Sequence, residues 1–71
     1  MNHNEQLEAI EAIRMVAPRD LILTPVKDEY GHFAVEIEYG YVSETVVLEG
    51  FNKLYCVKRI MDSEPVEAAL E

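Results

Sequence analysis

The sequence is poor in cysteine and in basic residues, and both shortages limit the classes of function that the protein can have. Its single cysteine, Cys56, cannot form an intramolecular disulfide, so we expect a protein of the reducing cytoplasm. Six Lys and Arg residues stand against fourteen Asp and Glu residues, which gives a net charge of −8. Because nucleic acids and anionic lipids are recognised mainly through Lys and Arg, direct binding to either is disfavoured. A basic protein, or a protein surface that normally holds nucleic acid, is a more natural partner.

The chain also lacks the sequence features of membrane, secreted and catalytic proteins. No apolar run approaches the roughly 18 residues that a membrane span needs, and the first residues contain neither a basic nor an apolar signal region. There is no Gly-rich phosphate loop, no nucleophile elbow and no HExxH motif. A chain of 71 residues also has little room for a cleft that would raise the pKa of a catalytic carboxylate. We therefore predict a non-enzymatic protein, without cofactor or metal, that is neither secreted nor embedded in a membrane.

A strand at residues 33–39 organises the fold. In its sequence, FAVEIEY, apolar residues alternate with small or acidic ones, as in a strand with one face in a core and one in water. The predicted core face contains Phe33, Val35, Ile37 and Tyr39.

The segment before this strand predicts a helix and then a short strand. Residues 1–4 are expected to fray, with Asn4 as the N-cap of an amphipathic helix that ends near Ala17. Its apolar stripe is formed by Leu7, Ile10, Ile13, Val16 and Ala17. Residues 21–24 then predict a strand that either ends at Pro25 or lies at a sheet edge, because proline has no backbone donor.

The segment after the strand predicts a hairpin and two helices. Gly40 is the expected turn residue before a strand at 42–48, since glycine readily adopts a positive φ. The apolar stripe of the next helix is formed by Phe51, Leu54, Val57, Ile60 and Met61. Its exposed side holds Lys53, Lys58 and Arg59. The acidic segment 62–71 predicts a short terminal helix, with Pro65 in its first turn. That helix has an apolar stripe of Val66, Ala69 and Leu70, which is expected to dock on the body or on a second subunit.

Together these elements predict a single α+β domain over residues 1–71. Its three strands form an antiparallel meander with helices packed on one face, in the order αβββα plus a short C-terminal helix. The αβββα order resembles double-stranded RNA-binding domains in topology, and those modules bind phosphates through basic residues near their second helix. Because the matching helix supplies only three basic residues to a strongly acidic chain, we do not extend that activity to this protein.

The candidate partner-binding residues cluster around the second hairpin. Glu36 and Glu38 are predicted on the outward face of the central strand, about 7 Å apart. Tyr39 and Tyr41 flank the turn, and tyrosine is enriched at protein interfaces. Glu44 is assigned to the core-facing register unless it lies close enough to the hairpin end to reach water.

Other polar residues are assigned structural roles. Asp28, Glu29 and His32 have the chemistry to bind a metal, but a solvated loop is favoured because zinc sites usually recruit more His or Cys. Cys56 is expected to be a half-buried packing residue. Pairing of the acidic segment 62–71 with the basic helix, within one subunit or between two, is a hypothesis for self-association.

We predict a small acidic protein-binding or regulatory module. We expect it to form a homodimer because its core is thin, one edge strand contains proline and its tyrosines are of the kind found at interfaces. The alternative is an acidic nucleic-acid mimic that inhibits a DNA- or RNA-handling protein through Glu36, Glu38 and Glu44. Salt separates the two hypotheses, because binding by mimicry should weaken steeply as ionic strength rises, while a tyrosine-anchored interface should barely respond.

Overall fold

The computed structural model describes residues 3–71 and contains three helices and three strands. In chain order they are α1 (Asn4–Val16), β1 (Ile22–Lys27), β2 (Phe33–Tyr39), β3 (Val42–Val47), α2 (Lys53–Met61) and α3 (Glu64–Leu70). The strands form one antiparallel sheet in the order β1-β2-β3. The predicted α+β meander is therefore confirmed. No helix in the described residues combines the length and the hydrophobicity that crossing a bilayer requires.

The central strand β2 has the bounds that its alternating sequence predicts. It is followed by a two-residue turn, Gly40 and Tyr41, which connects the paired residues Tyr39 and Val42. Gly40 has a φ of +60°, and the turn places its positive φ at the first central position, as in a type II′ hairpin. The turn therefore lies where the glycine indicates.

The core lies between the sheet and the helices, on the face of β2 that contains Phe33, Val35 and Ile37. All three helices contribute to one cluster, with Ile10 from α1, Ile60 from α2 and Val66 from α3. We call this side of the sheet the inner face. The helices cover this face, as predicted, and leave the other face without a helix.

Helix α1 packs through a stripe that shares Ile10 and Ile13 with the predicted one but extends to different residues on its flank. Its buried residues are Gln6, Ala9, Ile10 and Ile13. Leu7, which was expected in the core, is 45% exposed, and Val16 is 77% exposed. Gln6 takes the buried position because its Nε2 donates a 2.9 Å hydrogen bond to the carbonyl oxygen of Phe51, just before α2. The prediction is correct for Ile10 and Ile13 and wrong for Leu7 and Val16, because the contact with the region before α2 shifts the flank of the stripe to Gln6.

Helix α2 differs from prediction in the same way. Leu54 was assigned to its apolar stripe and is 76% exposed, while Cys56 is completely buried rather than half-buried. Arg59 was assigned to the exposed side, but it is partly buried and donates to the carbonyl oxygen of Val47 at 2.9 Å. The helix begins at Lys53 behind Asn52, whose side chain accepts a hydrogen bond from the backbone N–H of Tyr55.

Strand β1 continues through Pro25 and ends at Lys27. Of the two predicted possibilities, the edge position is the correct one, because β1 pairs only with β2 and Pro25 lies opposite Val35. Proline is tolerated in a strand where its missing N–H would point away from the ladder.

The two ends of the described chain are both attached to the body. α1 begins at Asn4, so the N-cap is His3 instead of Asn4, and the His3 ring stacks on Phe33 with centroids 4.6 Å apart. The fraying predicted for residues 1 and 2 lies outside the described residues. In α3, Val66 is buried in the core and Leu70 is 55% exposed. The terminal helix therefore docks on its own chain.

Candidate protein-binding surface

The face of the sheet opposite the helices, called here the outer face, has an ordered arrangement of side chains. It is built from three cross-strand rows: Val26-Ala34-Val47, Thr24-Glu36-Thr45 and Ile22-Glu38-Ser43. The first row is apolar, and Ala34 is completely buried within it. The other two rows each place one carboxylate in the central strand between uncharged neighbours.

Glu36 and Glu38 form the negative centre of the outer face. They lie two residues apart on one strand, so their Cα atoms are about 7 Å apart. Glu36 is exposed and Glu38 is partly exposed, and neither forms an ion pair with another described residue. Two unneutralised carboxylates on an uncovered sheet face can attract a cationic group from a partner.

The two candidate tyrosines do not extend this surface. Tyr39 lies on the inner face, where it is partly buried against the core. Tyr41 occupies the hairpin turn with its side chain fully exposed. The structure therefore separates Tyr39 from Glu38, its sequence neighbour, and leaves Tyr41 as the accessible aromatic side chain at the end of the sheet.

Glu44 lies on the inner face, opposite Ile37, and not with the other two glutamates. Its Oε1 accepts a 3.0 Å hydrogen bond from the backbone N–H of Glu64, the first residue of α3. A carboxylate is favourable there because helix N-termini present unpaired N–H groups. Strand alternation had already assigned Glu44 to this face, but its role as a cap for α3 was not predicted.

The two edges of the sheet differ in how their backbone groups are used. Just beyond β1, the backbone N–H of Asp28 donates to the carbonyl oxygen of His32. The alternation of an antiparallel ladder therefore turns the backbones of Leu23, Pro25 and Lys27 outward. Nη2 of Arg14 donates to the Leu23 carbonyl at 2.6 Å, and Pro25 has no N–H. The edge of β1 thus lacks one donor, at Pro25, and has one carbonyl already in use, so a strand could not pair with it continuously.

The same alternation turns the backbones of Ser43, Thr45 and Val47 outward from β3, since Phe33 and Leu48 form a hydrogen-bonded pair. Arg59 uses the carbonyl oxygen of Val47. Among residues 3–71, no group forms a hydrogen bond with the outward N–H or C=O of Ser43 or Thr45, and both residues are exposed. This part of the β3 edge is open.

The first hairpin loop is held by its own side chains. Oδ1 of Asp28 accepts hydrogen bonds from the backbone N–H groups of Tyr30 and His32, at 2.9 and 2.8 Å. The bond from His32 is the largest reason why the pKa of Asp28 lies below its ordinary value. Nδ1 of His32 is 3.5 Å from the other carboxylate oxygen. Within residues 3–71, no group of three or more potential metal ligands is assembled, in this loop or elsewhere.

Cys56 is enclosed by the turn between β3 and α2. Its thiol lies within hydrogen-bonding distance of the carbonyl oxygens of Phe51 and Leu48, at 3.5 and 3.8 Å. Burial raises the pKa of this thiol, although the positive charge of Arg59 acts in the opposite direction. A buried thiol with a raised pKa is a poor nucleophile, so Cys56 is a packing residue.

A contact between the N-terminus and the end of β3 was missed at the sequence level. Oε1 of Glu49 accepts from the backbone N–H of Phe33 at 3.0 Å, and its Oε2 is 4.0 Å from Nδ1 of His3. Oε2 of Glu49 and Nδ1 of His3 are both buried. Nothing in the local sequence around His3 or Glu49 indicates that they meet, because they are brought together only by the packing of α1.

Hollows in the surface border α1 and the β1 edge, and one of them reaches Ile22 at the end of an outer-face row. Two shallow hollows, of about 280 and 320 Å³, lie on either side of Arg14. The first is lined partly by Leu7 and Pro25, and the second partly by Pro18 and Leu21. The glutamates of the outer face line neither hollow.

Comparison with known proteins identifies no relative. No protein-family model matches the chain, and no significant match was found among curated proteins or solved structures. The shared element order with double-stranded RNA-binding domains is therefore accompanied by no detectable structural match. The function has to be argued from the geometry of this chain.

Proposed function

We propose that this protein is a non-enzymatic binding module of the cytoplasm, which regulates a partner protein by contacting it through the outer face of its sheet. The observation that carries the proposal is the unneutralised pair Glu36 and Glu38 at the centre of a face that no helix covers. The charge of the whole chain, −8, favours a partner whose surface is positive.

The nucleic-acid mimic is less well supported as the alternative. It requires a row of carboxylates that imitates a phosphate backbone, and the sequence suggested Glu36, Glu38 and Glu44 for this row. Because Glu44 points to the opposite face and accepts a hydrogen bond from α3, two carboxylates remain. Two charges are too few to define a backbone-like path, so the outer face supports the mimic less well than it supports a protein-binding surface.

Affinity capture with matched charge variants tests the proposal. The wild-type protein, the double variant Glu36→Lys/Glu38→Lys and the control Glu29→Lys/Glu67→Lys are used as baits in extracts of the native cell. Both variants change the net charge by the same amount, and the control residues are exposed in the first hairpin loop and on α3. We expect one or more proteins to bind the wild type and the control and to be lost with the outer-face variant.

The identified partner is then titrated with purified protein at increasing salt. We expect the affinity to fall with ionic strength, because exposed charges are screened. A partner that binds all three baits equally would contradict the assignment of the outer face. Detection of enzymatic turnover by the isolated protein would contradict the non-enzymatic assignment.

A further inference from the structure

The open backbone of β3 provides a specific way in which a partner can bind. The exposed N–H and C=O groups of Ser43 and Thr45 are strong hydrogen-bonding groups that require partners whenever water is removed from them. They are arranged as in any strand that lacks a neighbour, and an extended peptide can satisfy all four by adding to the sheet. Their side chains lie on the outer face, in the same rows as Glu38 and Glu36.

We propose that the β3 edge accepts an extended segment of the partner protein and that this segment carries Lys or Arg at every second position. The inference rests on the proposed function and adds the conformation and the charge pattern of the partner. Since side chains alternate between faces, a basic residue at every second position would place its charge over the outer face.

The distances across the sheet are compatible with this pairing. An added strand would lie two strand spacings from β2, which is roughly 10 Å. Only the small side chains of Ser43 and Thr45 stand between such a strand and the two glutamates. A Lys or Arg side chain on the added strand can span this distance, because the glutamate side chain extends from β2 toward it. The β3 residues of these two rows are uncharged, so neither row contains a nearer charge that would compete with the glutamates for the basic side chain.

A second copy of this chain fits the edge poorly. Two copies related by a two-fold axis could pair their β3 edges so that the N–H and C=O groups of Ser43 and Thr45 are all bonded. In that arrangement Ser43 of one copy lies opposite Thr45 of the other. That register sets Glu44 directly opposite its own equivalent, and like charges in opposing positions destabilise a sheet. The register centred on Thr45 instead requires the backbone of Val47, whose carbonyl oxygen already accepts from Arg59.

Thr45→Pro is the variant that tests the edge. The backbone N–H of Thr45 points away from β2, so proline removes an open donor without removing a ladder hydrogen bond, and Pro25 occupies an equivalent position in β1. Thr45→Val is the matched control, because it keeps the N–H and loses only the hydroxyl. Circular dichroism establishes that both variants are folded.

The probe is an alternating lysine–valine octapeptide, titrated into isotopically labelled protein and followed by nuclear magnetic resonance. We expect the amide signals of Ser43 and Thr45 to shift and their hydrogen exchange to slow. Affinity should fall about tenfold or more with Thr45→Pro and remain near the wild-type value with Thr45→Val. A peptide of the same composition with its lysines in one block should bind at least several-fold more weakly, and so should one whose lysine backbone nitrogens are methylated, because the lysines opposite Ser43 and Thr45 turn their N–H groups toward β3.

Several outcomes would overturn the proposal. Equal binding of the methylated peptide would exclude strand pairing, and this comparison holds even where Thr45→Pro fails to fold. A dimer in sedimentation that dissociates on Thr45→Pro would show that a second copy occupies the edge. Selective binding of a single-stranded oligonucleotide would identify a different class of ligand.

The failure of this inference is distinguishable from failure of the proposed function. If a captured partner binds Thr45→Pro normally but is lost with Glu36→Lys/Glu38→Lys, the outer face is correct and the edge pairing is wrong. If neither change affects capture, both proposals fail. Loss with both changes, and retention with Thr45→Val, supports the two together.

Discussion

Replacing Arg59 with methionine tests whether the sheet and α2 are held together by one side chain. Nε of Arg59 donates to the Val47 carbonyl at 2.9 Å, and its guanidinium lies 4.5 Å from the centre of the Phe51 ring. Methionine keeps the apolar stem of the side chain and removes the guanidinium with its charge and donors. The variant therefore isolates the polar part of the interaction.

The expected loss of stability follows from those two contacts. A hydrogen bond from a charged group contributes about 1.5–3 kcal/mol, and a partly exposed cation over an aromatic ring contributes about 0.5–1 kcal/mol. Because Arg59 is only partly buried, we take the low end of both ranges and expect a loss of about 2 kcal/mol. For a domain of this size, that loss lowers Tm by roughly 8–16 °C.

Urea and thermal unfolding, followed by circular dichroism, measure the effect. The control is Lys58→Met on the same helix, which removes an exposed ion pair with Asp62 at 3.1 Å. Such a pair contributes about 0.3–0.5 kcal/mol. If Arg59→Met and Lys58→Met destabilise the protein equally, the bridge between α2 and β3 makes no special contribution and the reasoning is refuted.

Two further predictions concern titratable groups. The folded-state pKa of Asp28 lies below its ordinary value of 3.8, so Asp28 stabilises the fold above that pH and loses its contribution as pH falls through the folded-state pKa. Asp28→Asn should thus be less stable than wild type at neutral pH, with a difference that shrinks in urea titrations below pH 3.8; a constant difference would argue against the linkage. For Cys56, burial and the raised pKa predict that a thiol reagent labels the native protein only as fast as the chain opens. Rapid labelling in native buffer, at the rate seen in urea, would contradict this.

The central strand was predictable because its alternating sequence matches its position, with one face toward the core and the other away from the helices. The alternation over residues 33–39 assigns Phe33, Val35 and Ile37 to the core, and all three are buried there. The exception is Ala34, which was assigned to the exposed face and is completely buried. Its small side chain lies between Val26 and Val47 on the neighbouring strands. The pairing register of the three strands creates this row, and the sequence of β2 alone does not reveal that register.

The rotation of the helices was not predictable from hydrophobicity. In α1, the stripe containing Gln6 and the stripe containing Leu7 both have helical spacing, and the apolar residue is the natural choice. The structure selects Gln6 because an acceptor, the carbonyl oxygen of Phe51, lies where its amide can reach. In α2, Leu54 is exposed because the helix packs with Cys56 and Ile60 toward the core.

The candidate surface was partly predictable. Strand alternation correctly puts Glu36 and Glu38 on the face without helices, and it separates them from Glu44. The same alternation, counted from the turn at Gly40, also indicates that the backbones of Ser43 and Thr45 face outward. Strand alternation does not predict which backbone groups at the sheet edges already have hydrogen-bond partners. Arg14 and Arg59 donate to such groups from helices that are distant in sequence.

The proline in β1 has a consequence for stoichiometry. A sheet with two open edges can pass strand pairing from molecule to molecule and grow without limit. Here Pro25 lacks the donor that growth at β1 would need, and Arg14 occupies the carbonyl of Leu23. The β1 edge therefore resists continuous strand pairing, so each molecule offers a single edge, that of β3, for continuous strand addition.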